Sequence, residues 1–310
     1  MTYRPLGDSG LLVSVVGLGC NAFGTRIDVE STAEVVDAAL EHGITLFDTA
    51  DIYGHGQSEK LLGAALGTRR DEVVVATKFG GDMKGLNGPD WGARGSRRYI
   101  RKAVEASLRR LGTDWIDLYQ MHWPDPITPI EETLGALDEV VTEGKVRYIG
   151  SSNFDGWQVV DADWVARSAG YESFISAQNK YSLYDRAAED ELIPACEHVG
   201  VGVLPYYPLE YGLLSGKYRR AEPAPAGSRL ESRPALLEGA DFDRIEALAQ
   251  FAAERGVGIL DVAVSGLAAQ PAVASVIAGA TRPEQVAANV GALAWEPTAA
   301  DLAALDELTE

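Results

Sequence analysis

The stretch Ile44-Thr45-Leu46-Phe47-Asp48-Thr49-Ala50-Asp51-Ile52-Tyr53-Gly54-His55-Gly56 decides the fold. Its first four residues form a short run with the look of a buried strand. Asp48 ends that run, and Tyr53 follows five residues later in a glycine-rich turn. The same grammar recurs downstream. Val73-Val74-Val75-Ala76-Thr77 leads into Lys78, and Leu118-Tyr119-Gln120-Met121 leads into His122. Polar groups that end successive buried strands can converge on one rim of a barrel, and that rim is where an enzyme of this shape does its chemistry.

Outward from these runs, β-rich segments alternate with helical patterns along the chain. A hairpin over 3–13, turning at Asp8-Ser9-Gly10, precedes strands expected at 15–18, 44–47, 73–77, 117–121, 146–150, 174–177, 201–205 and 273–277. Helices are expected at 32–42 (Ser31 as N-cap, Gly43 closing it), 58–66, 97–111, 130–143, 157–168, 189–198, 242–255, 260–269, 284–293 and 299–308. Strand-plus-helix units of roughly 30–40 residues suit parallel strands joined by crossover helices. Eight of them point to a single (β/α)8 TIM barrel with a short N-terminal β-hairpin, one domain over 1–310. An open doubly wound sheet is the alternative. Against it, Gly17-Leu18-Gly19 runs into Asn21-Ala22-Phe23 and not into a glycine-led helix.

The formal net charge of −19 argues against nucleic acid or an anionic membrane as partner, since both need a basic footprint. It also means that an anionic cofactor needs a local cluster of donors. No apolar run approaches the ~20 residues of a membrane helix, and no secretory signal is expected at the N-terminus. Cys20 and Cys196 alone make no disulfide framework, so a cytoplasmic setting is expected. Four histidines without His-x-His or His-Glu-x-x-His spacing give no metal site.

A buried ammonium needs a partner, and Asp48 is the nearest strand-end carboxylate to offer Lys78. A neighbouring ammonium is expected to lower the pKa of Tyr53 from about 10 and make it a better proton donor. His122 could orient a carbonyl oxygen. Each residue has a plainer reading alone: a turn cap for Asp48, a snorkelling lysine, a packed tyrosine, a structural histidine. Together they suit protonation of a carbonyl oxygen, and a cofactor must carry the hydride.

The motifs Phe47-Asp48-Thr49-Ala50-Asp51-x-Tyr53-Gly54, Ala76-Thr77-Lys78, Asp117-Leu118-Tyr119-x-x-His122-Trp123-Pro124, Gly150-Ser151-Ser152-Asn153-Phe154, Gln178-Asn179-x-Tyr181-Ser182 and Gly212-Leu213-Leu214-Ser215-Gly216-Lys217-Tyr218 occur in this order. In that order and spacing the chain resembles the aldo-keto reductases, (β/α)8 barrels that reduce carbonyls with NADPH. The resemblance implies Asp48, Tyr53, Lys78 and His122 as the catalytic tetrad, with Tyr53 the general acid. It implies that Ser152, Asn153 and Gln178 hold the nicotinamide carboxamide and that Tyr206 stacks on its ring. Leu209, Gly212, Ser215 and Lys217 correspond to the pyrophosphate loop of the bacterial branch. Gly279, Arg282, Gln285 and Asn289 correspond to the adenosine-phosphate site, where a helix starting near Pro283 offers free N–H groups. Gly279 and Gln285 stand where better-known members carry basic residues. NADPH is therefore expected with Arg282 as the main cation, and NADH is possible.

For the substrate, a small carbonyl compound or sugar, the expected lining is Asn21, Phe23, Tyr53, Trp91, Trp123 and Tyr211, with 80–95 and 219–239 as candidate covers. Packing within the loops is the plainer reading for these aromatics. Three activities compete: carbonyl reduction, an NAD(P)-dependent sugar or alcohol dehydrogenase working oxidatively, and a redox-sensing binding subunit like some relatives. Oligomeric state is left open.

Overall fold

The computed structural model of the chain describes residues 1–309. A two-stranded antiparallel hairpin, β1 (Tyr3–Pro5) with β2 (Leu12–Ser14), precedes an eight-stranded parallel sheet. In chain order its strands are β3 (Val16–Gly19), β4 (Leu46–Asp48), β5 (Val74–Phe79), β6 (Ile116–Met121), β7 (Val146–Ser152), β8 (Phe174–Gln178), β9 (Gly202–Val203) and β10 (Val276–Gly279). Each strand pairs with the next, and β10 returns to β3. The remaining gap is bridged by backbone bonds from Ala274 N to Val203 O (3.0 Å) and from Ile277 N to Pro205 O (3.0 Å). The sheet is thus a (β/α)8 barrel.

The helices follow: α1 (Val29–Glu41), α2 (Gln57–Leu66), α3 (Arg97–Leu111), α4 (Ile130–Thr142), α5 (Gly156–Ala169), α6 (Leu192–Val199), α7 (Pro234–Glu238), α8 (Phe242–Glu254), α9 (Ile259–Ala268), α10 (Pro283–Gly291) and α11 (Ala299–Thr309). Their apolar faces pack on the outward residues of the strands, such as Phe47, Val75, Phe79 and Tyr119. None of these helices is long and apolar enough to cross a membrane.

A second, smaller core fills the barrel itself. Leu46, Ala76, Leu118, Leu204 and Ile277 point inward and meet Leu6 and Val13 of the hairpin. The hairpin thereby plugs the N-terminal end. Gly7 makes this fit possible: a Cβ there would stand 2.6 Å from the Gly200 carbonyl oxygen, and its φ is +58°.

Several boundaries differ from the sequence reading, and α7 was not expected; three of the differences have a plain physical reason. α1 is capped by Asp28, whose Oδ1 accepts from Ser31 N at 3.0 Å, so Ser31 lies inside the first turn and is not the cap. A carboxylate there also faces the positive end of the helix dipole. β9 spans two residues because Pro205 has no N–H to continue the ladder. The last barrel strand begins at Val276; Val273 makes only an isolated bridge to Val203.

Candidate active site

Side-chain alternation along the strands builds the floor of the site. Two residues beyond inward-facing Leu46, Ala76 and Leu118, on the same face, stand Asp48, Lys78 and Gln120. Lys78 is fully buried. Its Nζ donates to Asp48 Oδ1 and Oδ2 at 2.7 Å each and to the Thr49 carbonyl at 2.9 Å. Those contacts occupy all three ammonium hydrogens. Asp48 also accepts from Gln178 Nε2 at 2.8 Å and from Gln120 Nε2 at 3.4 Å. Such saturation is what offsets the cost of taking two charges out of water.

Tyr53 stands over this pair, at the start of a tight turn, Tyr53–Gly56. The turn bends through positive φ at Gly54, His55 and Gly56, and a Cβ on Gly56 would strike the side chain of Arg110. Lys78 Nζ lies 5.2 Å from the Tyr53 ring centroid. The His122 ring meets Tyr53 edge-on, with centroids 5.9 Å apart and planes at 82°.

The acidity expected of Tyr53 from the sequence is overturned for the free protein. Burial, and after it the negative charge of Asp48, push the hydroxyl well above its usual 10. In the free protein these two effects outweigh the contribution of the Lys78 ammonium, which is ion-paired with Asp48 at 2.7 Å. His122 moves the other way. Burial first, then the Lys78 charge, hold it well below 6.5, so the ring is neutral near pH 7. Among the described residues, its Nδ1 is buried without a hydrogen-bond partner. Trp123 stacks on the ring at 3.7 Å and 8°, and the His122 main-chain N–H donates to the Phe79 carbonyl at 2.8 Å.

A cavity of about 810 Å³ opens at this end of the barrel, with Asp48, Tyr53 and His122 in its wall. That lies in the upper part of the range for small-molecule sites, about 300–1,000 Å³. Every position singled out for a dinucleotide lines the same cavity: Ser152, Asn153, Gln178, Tyr206, Leu209, Gly212, Ser215, Lys217, Gly279, Arg282, Gln285 and Asn289. Asn153, at φ +59°, donates from Nδ2 to the His122 carbonyl at 2.9 Å and accepts from Tyr206 OH at 2.7 Å. Ser215 OH donates to the Gly212 carbonyl at 2.6 Å. A Cβ on Gly212 would come 3.2 Å from Lys217 Nζ. Lys180 anchors this segment through Glu210 (3.0 Å) and Asp185 (2.8 Å). At the far end Arg282 precedes α10, and Gln285 Oε1 accepts from Thr281 N at 2.8 Å.

Of the substrate positions, Asn21, Trp123 and Tyr211 line the cavity, whereas Phe23 and Trp91 do not. Phe23 has no exposed surface and packs in the core between the barrel and its helices. Trp91 is 74 % exposed, with the Arg98 guanidinium 4.4 Å over its ring. The 80–95 segment is tied sideways, by Asn87 to Asp51 and by Gly95 to Asp125, and contributes nothing to the wall. From 219–239, Pro225 to Arg229 do reach it. The sequence reading missed Gln120, Arg26, Tyr207 and Arg229. Gln120 was within reach, since it shares the parity of Leu118 and is polar inside a buried strand. The 219–239 excursion has no periodicity that would single out Arg229.

Residues 15–310 match the model of the aldo/keto reductase family. The chain belongs to that family. Relatives agree along nearly the full length. An uncharacterized oxidoreductase, YrpG, of Bacillus subtilis (strain 168) is 38 % identical over 301 residues, covering 94 % of this chain and 91 % of that protein. The NADH-specific methylglyoxal reductase of Escherichia coli (strain K12) is 37 % identical over 327 residues, covering 99 % and 98 %. A probable voltage-gated potassium channel subunit beta of Oryza sativa subsp. japonica is 36 % identical over 304 residues, covering 94 % and 91 %. As an aldo/keto reductase the chain is an NAD(P)H-dependent oxidoreductase of a family that acts on small carbonyl compounds.

Proposed function

We propose that this aldo/keto reductase reduces an aldehyde, ketone or sugar carbonyl to the alcohol with NADPH, Tyr53 acting as general acid. The residues present suit the dinucleotide. Lys217, Arg282 and the N-terminus of α10 offer positive charge to its phosphates in a chain that is otherwise strongly acidic. Gly212 keeps a backbone cradle open beside Lys217, and Asn153, Gln178 and Tyr206 present amide and aromatic surface to the nicotinamide end. Arg282 is assigned to the 2′-phosphate. The Escherichia coli relative is named for NADH, so comparing the two dinucleotides tests that assignment. When bound, the nicotinamide supplies the hydride.

Tyr53 gives its hydroxyl proton to the carbonyl oxygen as that oxygen gains negative charge. Its raised pKa keeps it protonated across the working range. Lys78 stabilises the phenolate left behind, and Asp48 holds the ammonium under the ring. Neutral His122 donates to the same carbonyl oxygen from Nε2, which requires the tautomer whose Nδ1, buried without a partner, carries no hydrogen. The whole chain is read as one domain at work in the cytoplasm, with both cysteines free and buried.

The observation that carries this reading is a tyrosine on the cavity wall 5.2 Å above a buried, ion-paired lysine. The test is NADPH consumption with 4-nitrobenzaldehyde by the unaltered protein and by Tyr53→Phe. Turnover is expected to fall by about 10²–10⁴, the usual worth of a general acid, while NADPH still quenches tryptophan fluorescence. Undiminished turnover in the variant removes Tyr53 as proton donor. A protein that retains NADPH without consuming it would instead resemble a binding subunit.

A further inference from the structure

A buried ion pair lies behind Tyr53 and Lys78 and has no part in the chemistry described so far. Glu59 sits in the first turn of α2, directly after the Tyr53 turn, and has no exposed surface. Its Oε2 accepts from Arg110 Nε of α3 at 2.5 Å, and its Oε1 accepts from the Thr77 hydroxyl at 2.6 Å. Thr77 precedes Lys78 on β5, so its side chain leaves the strand on the opposite face. The carboxylate therefore joins the strand that carries Lys78 to an arginine of the neighbouring helix.

Arg110 in turn holds the Tyr53 turn from both sides. After the tyrosine, Gly56 rests on the arginine stem: a Cβ there would stand 2.5 Å from Arg110 Cδ and 2.9 Å from Nε. Before it, Arg110 Nη1 donates to Asn87 Oδ1 at 3.0 Å, and Asn87 Nδ2 donates to Asp51 Oδ2 at 3.2 Å. The Asp51 main-chain N–H donates to the Lys78 carbonyl at 3.1 Å. Nη2 completes the set by donating to Ser107 Oγ at 3.2 Å. A planar guanidinium cannot turn without breaking several of these bonds. The connection is a closed ring: Lys78 through Thr77, Glu59 and Arg110 to the turn that carries Tyr53, and back through Asp51 to Lys78. A buried ion pair is weak as a source of stability, so its geometry is the more telling property.

We propose that Glu59 and Arg110 are positioning residues for proton transfer, setting the height of Tyr53 above Lys78. This rests on the carbonyl-reduction reading above, with Tyr53 as general acid. Thr77, Glu59, Asn87 and Arg110 stand outside the cavity wall, so they act through the tyrosine and the lysine and not on substrate or dinucleotide. A misplacement of about 1 Å at the reacting group is enough to cost about 10²-fold in rate.

The test follows NADPH consumption with 4-nitrobenzaldehyde by the unaltered protein, Thr77→Val, Thr77→Ser and Arg110→Lys, each substitution also made in the Tyr53→Phe background. Val removes the hydroxyl that grips Glu59 and keeps its shape, whereas Ser keeps the hydroxyl. Lys keeps a charge opposite Glu59 but loses the bonds to Asn87 and Ser107. Thr77→Val and Arg110→Lys should lower kcat by about tenfold to a hundredfold. KM and the NADPH dissociation constant should change by less than about twofold, since only alignment in the transition state is disturbed. Thr77→Ser should keep most of kcat. In the Tyr53→Phe background the same substitutions should cost less than about twofold further, because the proton donor they position is already gone. The proposal is overturned if variants that melt like the unaltered protein keep their kcat, or if the loss falls on KM or NADPH binding. It is overturned too if the loss is as large without the tyrosine hydroxyl as with it, which makes the network a support of the barrel alone. If Arg110→Lys does not fold, the Thr77 pair decides. Undiminished turnover by Tyr53→Phe, or no NADPH consumption by the unaltered protein, refutes the carbonyl-reduction reading and this inference with it.

Discussion

Replacing Lys78 by Met separates the two tasks of the buried ion pair. Met fills similar volume but leaves the Asp48 carboxylate, 3 % exposed, with only Gln178 and Gln120 as donors. Removing one partner of a buried pair costs about 3–5 kcal/mol. With an unfolding entropy of about 2.1 cal/mol/K per residue, the 310-residue chain should lose about 5–8 °C of Tm. The assay is calorimetry or circular dichroism melting at pH 7. Lys78→Met is measured beside the double variant Lys78→Met/Asp48→Asn, with turnover recorded on both. The double variant should regain most of the stability and none of the turnover, because Tyr53 still lacks the ammonium beneath its ring. A penalty below about 1 kcal/mol at pH 7, or turnover regained in the double variant, would refute the reasoning.

The pH profile of kcat/KM for reduction follows from the shifts of His122 and Tyr53. His122 is held neutral to well below 6.5, so activity should not decline as pH falls through 6.5; a titration centred there would show a charged imidazole in the free enzyme. Tyr53 is raised well above 10, so the loss on the basic side, where the donor is already deprotonated, should lie above 10 in the free enzyme. Arg282→Ala should raise the NADPH dissociation constant far more than that of NADH, by tenfold or more for a lost charge-assisted contact; equal losses would remove it from the 2′-phosphate role.

The strands were legible because parallel strands covered on both faces must be apolar, and a polar residue ending such a run stands out. Asp48, Lys78 and His122 announce themselves in this way. Helix ends were read less well: Asp28 and Ser31 are both good caps, and only the backbone decides which oxygen meets which N–H. Phe23 and Trp91 show where local sequence carries no information. Both are aromatics on loops after barrel strands, yet one turned into the core and the other out to Arg98. Tyr53's acidity could not be read either. It depends first on how deeply the ring is buried and then on how near the Asp48 charge lies, which is a matter of ångströms and not of spacing. The link from Thr77 through Glu59 to Arg110 is likewise invisible, since only the folded chain brings the three together.

The strain in the backbone shows which part of the barrel is specified most tightly. Asn153, Tyr207 and Tyr211 line the cavity, and Glu210 lies between the last two; all adopt positive φ without being glycine. Each such residue costs on the order of 1–3 kcal/mol and persists only where its surroundings over-determine it. Here the surroundings are identifiable. Tyr206 OH holds Asn153 Oδ1, Lys180 holds Glu210, and Tyr207 and Tyr211 lie against each other with centroids 4.4 Å apart beneath Arg229. Stability alone would favour relaxed backbone at these positions; at the plugged end of the barrel the hairpin's positive φ falls on glycine at Gly7, and Ala272 is the non-glycine residue there that shares it. Strain concentrated on the open end means that the positions of these amides and rings, and of the loop bearing Lys217, matter more than the energy spent to hold them.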